Sequence, residues 1–275
     1  MIRSVLVMGM GRVGSSLAPW LASGGLEVRW WNRSPLDAEL LDLLALAGVL
    51  PLDPTEPAPE LVLAALPEAL LPAVPGMLAK MLPGALPLLV HTSGGAAPEL
   101  WSDYRGAKAR MHPLLPFTAR GQHLPEQPPV LFLVGGDEMA ARAARELVLR
   151  CNGRHLDAPV QLQPALYHAA CVLACNFPAF LGASAQSAFQ AAGLTPHQST
   201  EATTALMASM LELAGRVGFG AAVSGPASRG ETPILQQHAR ALAATDAELA
   251  AVYELLAATI LRRRELLLDG AKGNQ

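Results

Sequence analysis

Several short stretches of this chain bring together residue types that could do chemistry. Gly9-Met10-Gly11-Arg12-Val13-Gly14 spaces three glycines as G-x-G-x-x-G. That spacing allows a tight turn, a close approach of backbone to a pyrophosphate, and a helix packed hard on a strand. The free N–H groups at the positive end of the helix would hold the phosphates. Met111-His112-Pro113-Leu114 offers an imidazole for acid/base work. In Tyr167-His168-Ala169-Ala170-Cys171, continuing to Cys175-Asn176-Phe177-Pro178, polar groups interrupt an apolar helix. His168, Cys171 and Cys175 share a face by spacing, but no fourth ligand accompanies them, so no metal is expected. Pro178 removes a helix hydrogen bond and predicts a kink beside His168 and Asn176. Arg229, in the turn Gly225-Pro226-Ala227-Ser228-Arg229-Gly230-Glu231-Thr232, could clamp a carboxylate or phosphate. It could equally tie two helix ends together. The candidate catalytic set is His112, His168, Asn176 and Arg229.

The elements around the glycines give them their meaning. Ser4–Met8 is a short apolar run and Leu26–Trp31 reads as a second strand, so the motif sits in a strand-turn-helix-strand unit. A dinucleotide is the expected ligand, contacted by Gly9, Met10, Gly11, Arg12, Val13 and Gly14. The second strand ends in Asn32-Arg33-Ser34, with no carboxylate before Asp37. An acidic residue there would select NAD by its ribose hydroxyl, whereas an Arg suits the 2′-phosphate of NADP. NADP is therefore the expected cofactor, the plainer reading being a solvated Arg at a strand end. Leu66-Pro67 and Thr92-Ser93 follow later strands and are placed to flank the nicotinamide and substrate.

The composition limits the classes open to this chain. It has 275 residues, is 51 % hydrophobic and carries a net charge of −3, which gives no electrostatic footprint for nucleic acid. Its lysines are Lys80, Lys108 and Lys272 alone. The first strand begins so early that no signal peptide is expected. Pro or Gly interrupts the longest apolar runs, so no membrane span is expected either. Three cysteines make no disulfide framework, and the expected compartment is the cytoplasm.

Further apolar runs at 61–66, 86–90, 109–111 and 130–134 alternate with helical stretches, and Asp137 is placed to cap one of these. The expectation is an α/β doubly wound Rossmann sheet over residues 1–158. The proline-rich segment 51–59 is read as irregular. Residues 159–275 read as an all-α domain, with Thr195-Pro196 and Thr232-Pro233 as helix starts and Thr245-Asp246-Ala247-Glu248 as a capping box. So apolar a helical domain predicts a homodimer through its faces.

Taken together, these motifs resemble a Rossmann-like oxidoreductase family with a C-terminal helical domain of unknown function. That family is related to pyrroline-5-carboxylate reductase, ketopantoate reductase and the 6-phosphogluconate dehydrogenase superfamily. The residues that carry the resemblance are Gly9 to Gly14, His91-Thr92-Ser93-Gly94, His112-Pro113-Leu114, Tyr167-His168-Ala169-Ala170 with Asn176, and Gly225 to Thr232. The resemblance implies an NADP-linked reductase, usually dimeric, with a substrate cleft between its domains. One departure is plain: the helical-domain lysine typical of the hydroxyacid dehydrogenases is missing, since no lysine lies between Lys108 and Lys272. This tilts the expected substrate toward an imine, or a carbonyl protonated by histidine, on a small anionic molecule. The alternatives are a non-catalytic NADP-binding sensor or scaffold, and a related protein that passes hydride between NADP and a deazaflavin.

Overall fold

In the computed structural model, residues 1–97 and 100–269 are described. The chain divides into two compact units, Met1–Val172 and Leu173–Gln275. The sequence pattern places the boundary near 158, where strands give way to helices. The compact units divide later, so the first turns of the helix Pro164–Ala174 fall within the first unit.

The first unit is built on one eight-stranded sheet. Its strands are β1 (Ser4–Met8), β2 (Glu27–Trp31), β3 (Leu50–Pro51), β4 (Leu61–Ala64), β5 (Leu88–His91), β6 (Lys108–Pro113), β7 (Leu131–Gly136) and β8 (Arg154–Asp157). They are ordered β3-β2-β1-β4-β5-β6-β7-β8. The helices are α1 (Arg12–Ser23), α2 (Ala38–Leu46), α3 (Val74–Met81) and α4 (Glu138–Arg150), followed by α5 (Pro164–Ala174). Period-two alternation sends side chains to opposite faces. Val5, Val7, Val90, Ala109, Met111 and Phe132 pack on the face covered by α1, α2 and α4. Leu6, Met8, Val62 and Leu89 pack on the other, with Leu78 of α3 and Trp101.

Two features depart from the sequence expectation. β6 and β7 are antiparallel, with Met111 opposite Val134 and His112 opposite Leu133. No helix intervenes between them, so the chain cannot make the crossover that a parallel pair requires. The proline-rich stretch is also not wholly irregular. Pro51 pairs with Trp30 in a two-residue edge strand, a position where a missing N–H is tolerated.

The second unit contains α6 (Asn176–Ala191), α7 (Pro196–Val217), the short helices α8 (Phe219–Ala222) and α9 (Pro226–Arg229), α10 (Thr232–Ala243) and α11 (Ala247–Asp269). Thr195 caps α7 in a full capping box with Gln198. At α11 the cap is Asp246 rather than Thr245: Leu249 N–H donates to Asp246 Oδ1 at 2.9 Å. At α10, Glu231 takes the N-cap position and Thr232 is already helical. The predicted kink appears as a break at Cys175, between α5 and α6.

Taken together, Pro164–Ala191 is long and apolar enough to cross a membrane by length and composition. This corrects the expectation that prolines and glycines interrupt every such run: Pro178 and Gly182 break the pattern without lowering its mean hydropathy enough.

Candidate active site

The glycine-rich turn is shaped by contacts that only glycine permits. Gly9 has φ +96°, and a Cβ there would lie 2.6 Å from the Ala65 carbonyl oxygen. A Cβ on Gly14 would lie 1.8 Å from the Gly9 oxygen, so α1 rests directly on the turn. Gly11 faces open space. No side chain caps α1 and no acidic residue occupies its first turn. Its N-terminus is thus free for an anion.

The residues expected at the cofactor divide into braces and contacts. Met10 is buried core, and its N–H donates to Asn32 Oδ1 at 3.0 Å. The Asn32 carboxamide in turn donates to the Ser34 carbonyl at 2.8 Å. Asn32 therefore fixes the turn to the end of β2. Val13 is half-buried against the core and contributes backbone. Arg12 and Arg33 are exposed, and neither has a charge partner or side-chain hydrogen bond among the described residues. Leu66 lies against Gly9, with Pro67 exposed beside it.

The β6–β7 loop braces the same turn from the other side. Gly121 N–H donates to Ser15 Oγ at 2.9 Å, and Ser15 Oγ donates to the Gly11 carbonyl at 2.6 Å. Beside it, Arg120 pairs with Asp37, the N-cap of α2. That cap hydrogen bond from Leu40, together with Arg120, holds the Asp37 carboxyl below its ordinary value.

His91-Thr92-Ser93-Gly94 leaves the carboxyl end of β5. Ser93 N–H donates to His91 Nδ1 at 3.2 Å, and Ser93 Oγ accepts from the N–H groups of Gly95 and Ala96. Thr92 is buried. Ser93 thus shapes the turn. Gly94 is the point on which two imidazoles converge. A Cβ there would lie 2.9 Å from both His112 Nε2 and His168 Nδ1.

His112 stands on the same sheet face as His91, two residues beyond Arg110. Its Nδ1 lies 2.7 Å from the hydroxyl of Tyr167 in α5, with the two rings edge to face. His112 and His168 are edge to face as well, their centroids 6.3 Å apart. Burial pushes the His112 imidazole down to about 4, helped by the neighbouring His168 and Arg110. Burial likewise depresses His91 to about 3, with Arg110 and His112 adding to it. Both rings are neutral at physiological pH. Burial, with Cys171 beside it, raises the Tyr167 phenol, so its proton stays on the oxygen.

Sequence reasoning named His112 and His168 but missed Tyr167 as a site residue. Its only signal was its place next to His168. The second unit carries the other two candidates. Asn176 is exposed at the start of α6. Arg229 gives Nε and Nη2 to the Glu231 carboxylate at 2.7 and 3.1 Å, so it is a local ion pair rather than an open anion clamp. Among the described residues there is no group of three or more His, Cys, Asp or Glu able to hold a metal.

Residues 130–260 match the model of a domain of unknown function (DUF2520). No curated protein matches the chain. Solved structures do. A Bacteroides fragilis protein assigned as an NADP oxidoreductase is 21% identical, with a TM-score of 0.75 over 95% of this chain and 99% of that one. A pyrroline-5-carboxylate reductase from Coxiella burnetii is 16% identical, with a TM-score of 0.62 over 97% and 99%. A reductive aminase from Aspergillus terreus, in complex with NADPH and ethyl-5-oxohexanoate, is 16% identical, with a TM-score of 0.68 over 98% and 99%. At these identities the likeness is one of fold. The chain therefore has a Rossmann-like fold shared with these reductases, and its residues 130–260 match DUF2520.

Proposed function

We propose that the chain is an NADPH-dependent reductase of a small carbonyl or imine acid. The observation that carries this reading is the convergence of His112 and His168 on Gly94, with Tyr167 holding His112 from behind. The cofactor's cradle is in place: Gly11 faces open space, α1 is uncapped, and Arg33 has no partner among the described residues. NADPH bound there would supply the hydride, its phosphates on the Gly9–Gly14 turn and its 2′-phosphate on Arg33.

The protein's own part follows from the neutral His112. A Tyr167 hydroxyl donating to Nδ1, 2.7 Å away, would leave the ring hydrogen on Nε2, facing the Gly94 shelf. From there Nε2–H donates to a substrate oxygen or nitrogen and polarises it. His168, exposed beside it, takes protons from solvent and passes them on. Arg229 is paired with Glu231.

Purified protein titrated with NADPH, then assayed by NADPH oxidation against small keto and imino acids, tests this reading. Turnover of one compound is expected, and His168→Ala should lower it sharply while leaving NADPH affinity almost intact. An unchanged rate removes His168 from the mechanism.

A second reading, a non-catalytic NADP-binding sensor, draws support from the same neutral imidazole. A His112 depressed to about 4 stores no proton at rest. NADPH binding without turnover of any compound would favour it.

We further propose a cytoplasmic homodimer. All three cysteines, Cys151, Cys171 and Cys175, are unpaired thiols. Phe177, Phe180 and Leu181 on α6, and Leu206, Met210 and Val217 on α7, are large, apolar and exposed at helical spacing. A second copy of the same helices would cover such stripes.

A further inference from the structure

A cavity of about 300 Å³ lies in the first unit, on the sheet face that carries His91 and His112. Its lining includes His91, Arg110 and Gly135 from β5, β6 and β7, with Leu100, Trp101 and Leu162 as apolar walls. Arg110 is only 9 % exposed. Among the described residues its guanidinium makes one hydrogen bond, from Nη2 to the Ala96 carbonyl at 2.6 Å, and its buried Nε has no partner. No carboxylate pairs with it among the described residues, although Glu68 and Tyr167 act on it from a distance.

A buried cation in this condition is costly, and proteins seldom keep one without an anion to meet it. His91 cannot compensate it, because a neutral ring brings no charge. Lys108 also lines the cavity, but it is paired with Asp137 at 3.5 Å. Beside the Lys108–Asp137 pair and the apolar walls, Arg110 is the one lining charge without a partner among the described residues, and it sets the ligand's character. A planar guanidinium matches two carboxylate oxygens side by side. A phosphate dianion would need a second free cation, which the described lining does not offer.

We propose that the Arg110 cavity binds a short-chain organic acid, its carboxylate on the guanidinium and its carbon chain against Leu100, Trp101 and Leu162. The site is independent of NADPH and of the reductase reading, and its test contains no nucleotide.

The thermal midpoint of the full chain is measured at pH 7 in butyrate, acetate, phosphate and chloride at matched ionic strength. Butyrate should raise the midpoint by several degrees over chloride, acetate by less, and phosphate should give only the general salt stabilisation that persists in Arg110→Met. Arg110→Met should abolish the butyrate response while remaining at least as stable as the native chain in chloride, since it removes an uncompensated charge. Arg110→Lys keeps the charge without the fork and should respond weakly, which also serves if the methionine variant does not fold. Glu99 lies outside the described residues, so Glu99→Gln is run alongside and should respond like the native chain. A native midpoint indifferent to butyrate, an undiminished butyrate response in Arg110→Met, a response to phosphate that is lost in Arg110→Met, or a response confined to Glu99→Gln would each overturn the proposal.

Discussion

The Tyr167 hydroxyl lies 2.7 Å from His112 Nδ1, joining the first turns of α5 to the end of β6 across 55 residues of sequence. One hydrogen bond therefore sets the ring orientation of the imidazole whose Nε2 faces Gly94. A hydrogen bond to one ring nitrogen decides which tautomer the other presents.

Gly94→Ala should damage function far more than folding. Its Cβ would press on His112 Nε2 and His168 Nδ1, both at 2.9 Å, and both atoms are ends of side chains that can turn aside. Thermal unfolding should shift little, because no backbone atom is struck. Turnover should fall by roughly 100-fold, as expected for a small displacement of a positioned group. A fully active Gly94→Ala protein would mean that nothing reacts at this shelf.

Stability should fall as pH is lowered from 7 to 5. His91 and His112 are held near 3 and 4, below the ordinary 6.5. Their contribution is complete above the unfolded pKa, and it is lost as pH falls toward the folded values. Between pH 7 and pH 5 each ring should cost about 2 kcal/mol, because the unfolded chain takes up the proton and the folded one does not. Urea unfolding at the two pH values measures this. His91→Gln keeps an acceptor for Ser93 N–H and should remove about half of the drop.

Arg33→Ala should weaken NADPH binding by roughly tenfold or more, the worth of a charge-assisted hydrogen bond, and leave NADH binding nearly unchanged. Fluorescence titration with each cofactor gives the ratio. Equal losses for both would place Arg33 away from the 2′-phosphate.

Met210→Glu and Phe180→Glu place a charge in the exposed apolar stripes of α7 and α6. Each should convert the proposed dimer to monomer in analytical ultracentrifugation without unfolding it, since neither side chain is buried in its own unit. A native chain that is monomeric at micromolar concentration contradicts the dimer outright.

Much of this molecule was legible in its sequence where local chemistry decides. The glycine spacing, the apolar runs of β1, β4 and β5, and the proline-marked starts of α7 and α10 all report short-range requirements. The kink near Pro178 was legible for the same reason, and it appears as the break at Cys175. What the sequence concealed depends on which side chain meets which group. Asn32 and Ser93 have the polarity of ligand contacts, but unsatisfied N–H groups next to them claimed their oxygens first. Asp137 stands at the cap of α4, yet it accepts from Lys108 N–H instead of from the helix. Thr245 yielded its cap to the neighbouring Asp246. Tyr167 has only its place in the Tyr167-His168 motif as a local signature, and Arg110 has none. Their importance comes from a partner far along the chain in one case, and from the lack of one in the other.

The central claim, that this chain reduces a substrate at His112 with NADPH, is tested most directly by single-turnover NADPH oxidation with native, Tyr167→Phe and His112→Ala proteins. The assay uses whichever keto or imino acid the native chain accepts. The account predicts equal NADPH affinity in all three. It predicts a moderate loss of rate in Tyr167→Phe, where the tautomer is no longer fixed, and a loss of roughly 100-fold or more in His112→Ala. A His112→Ala protein that oxidises NADPH at the native rate would contradict it.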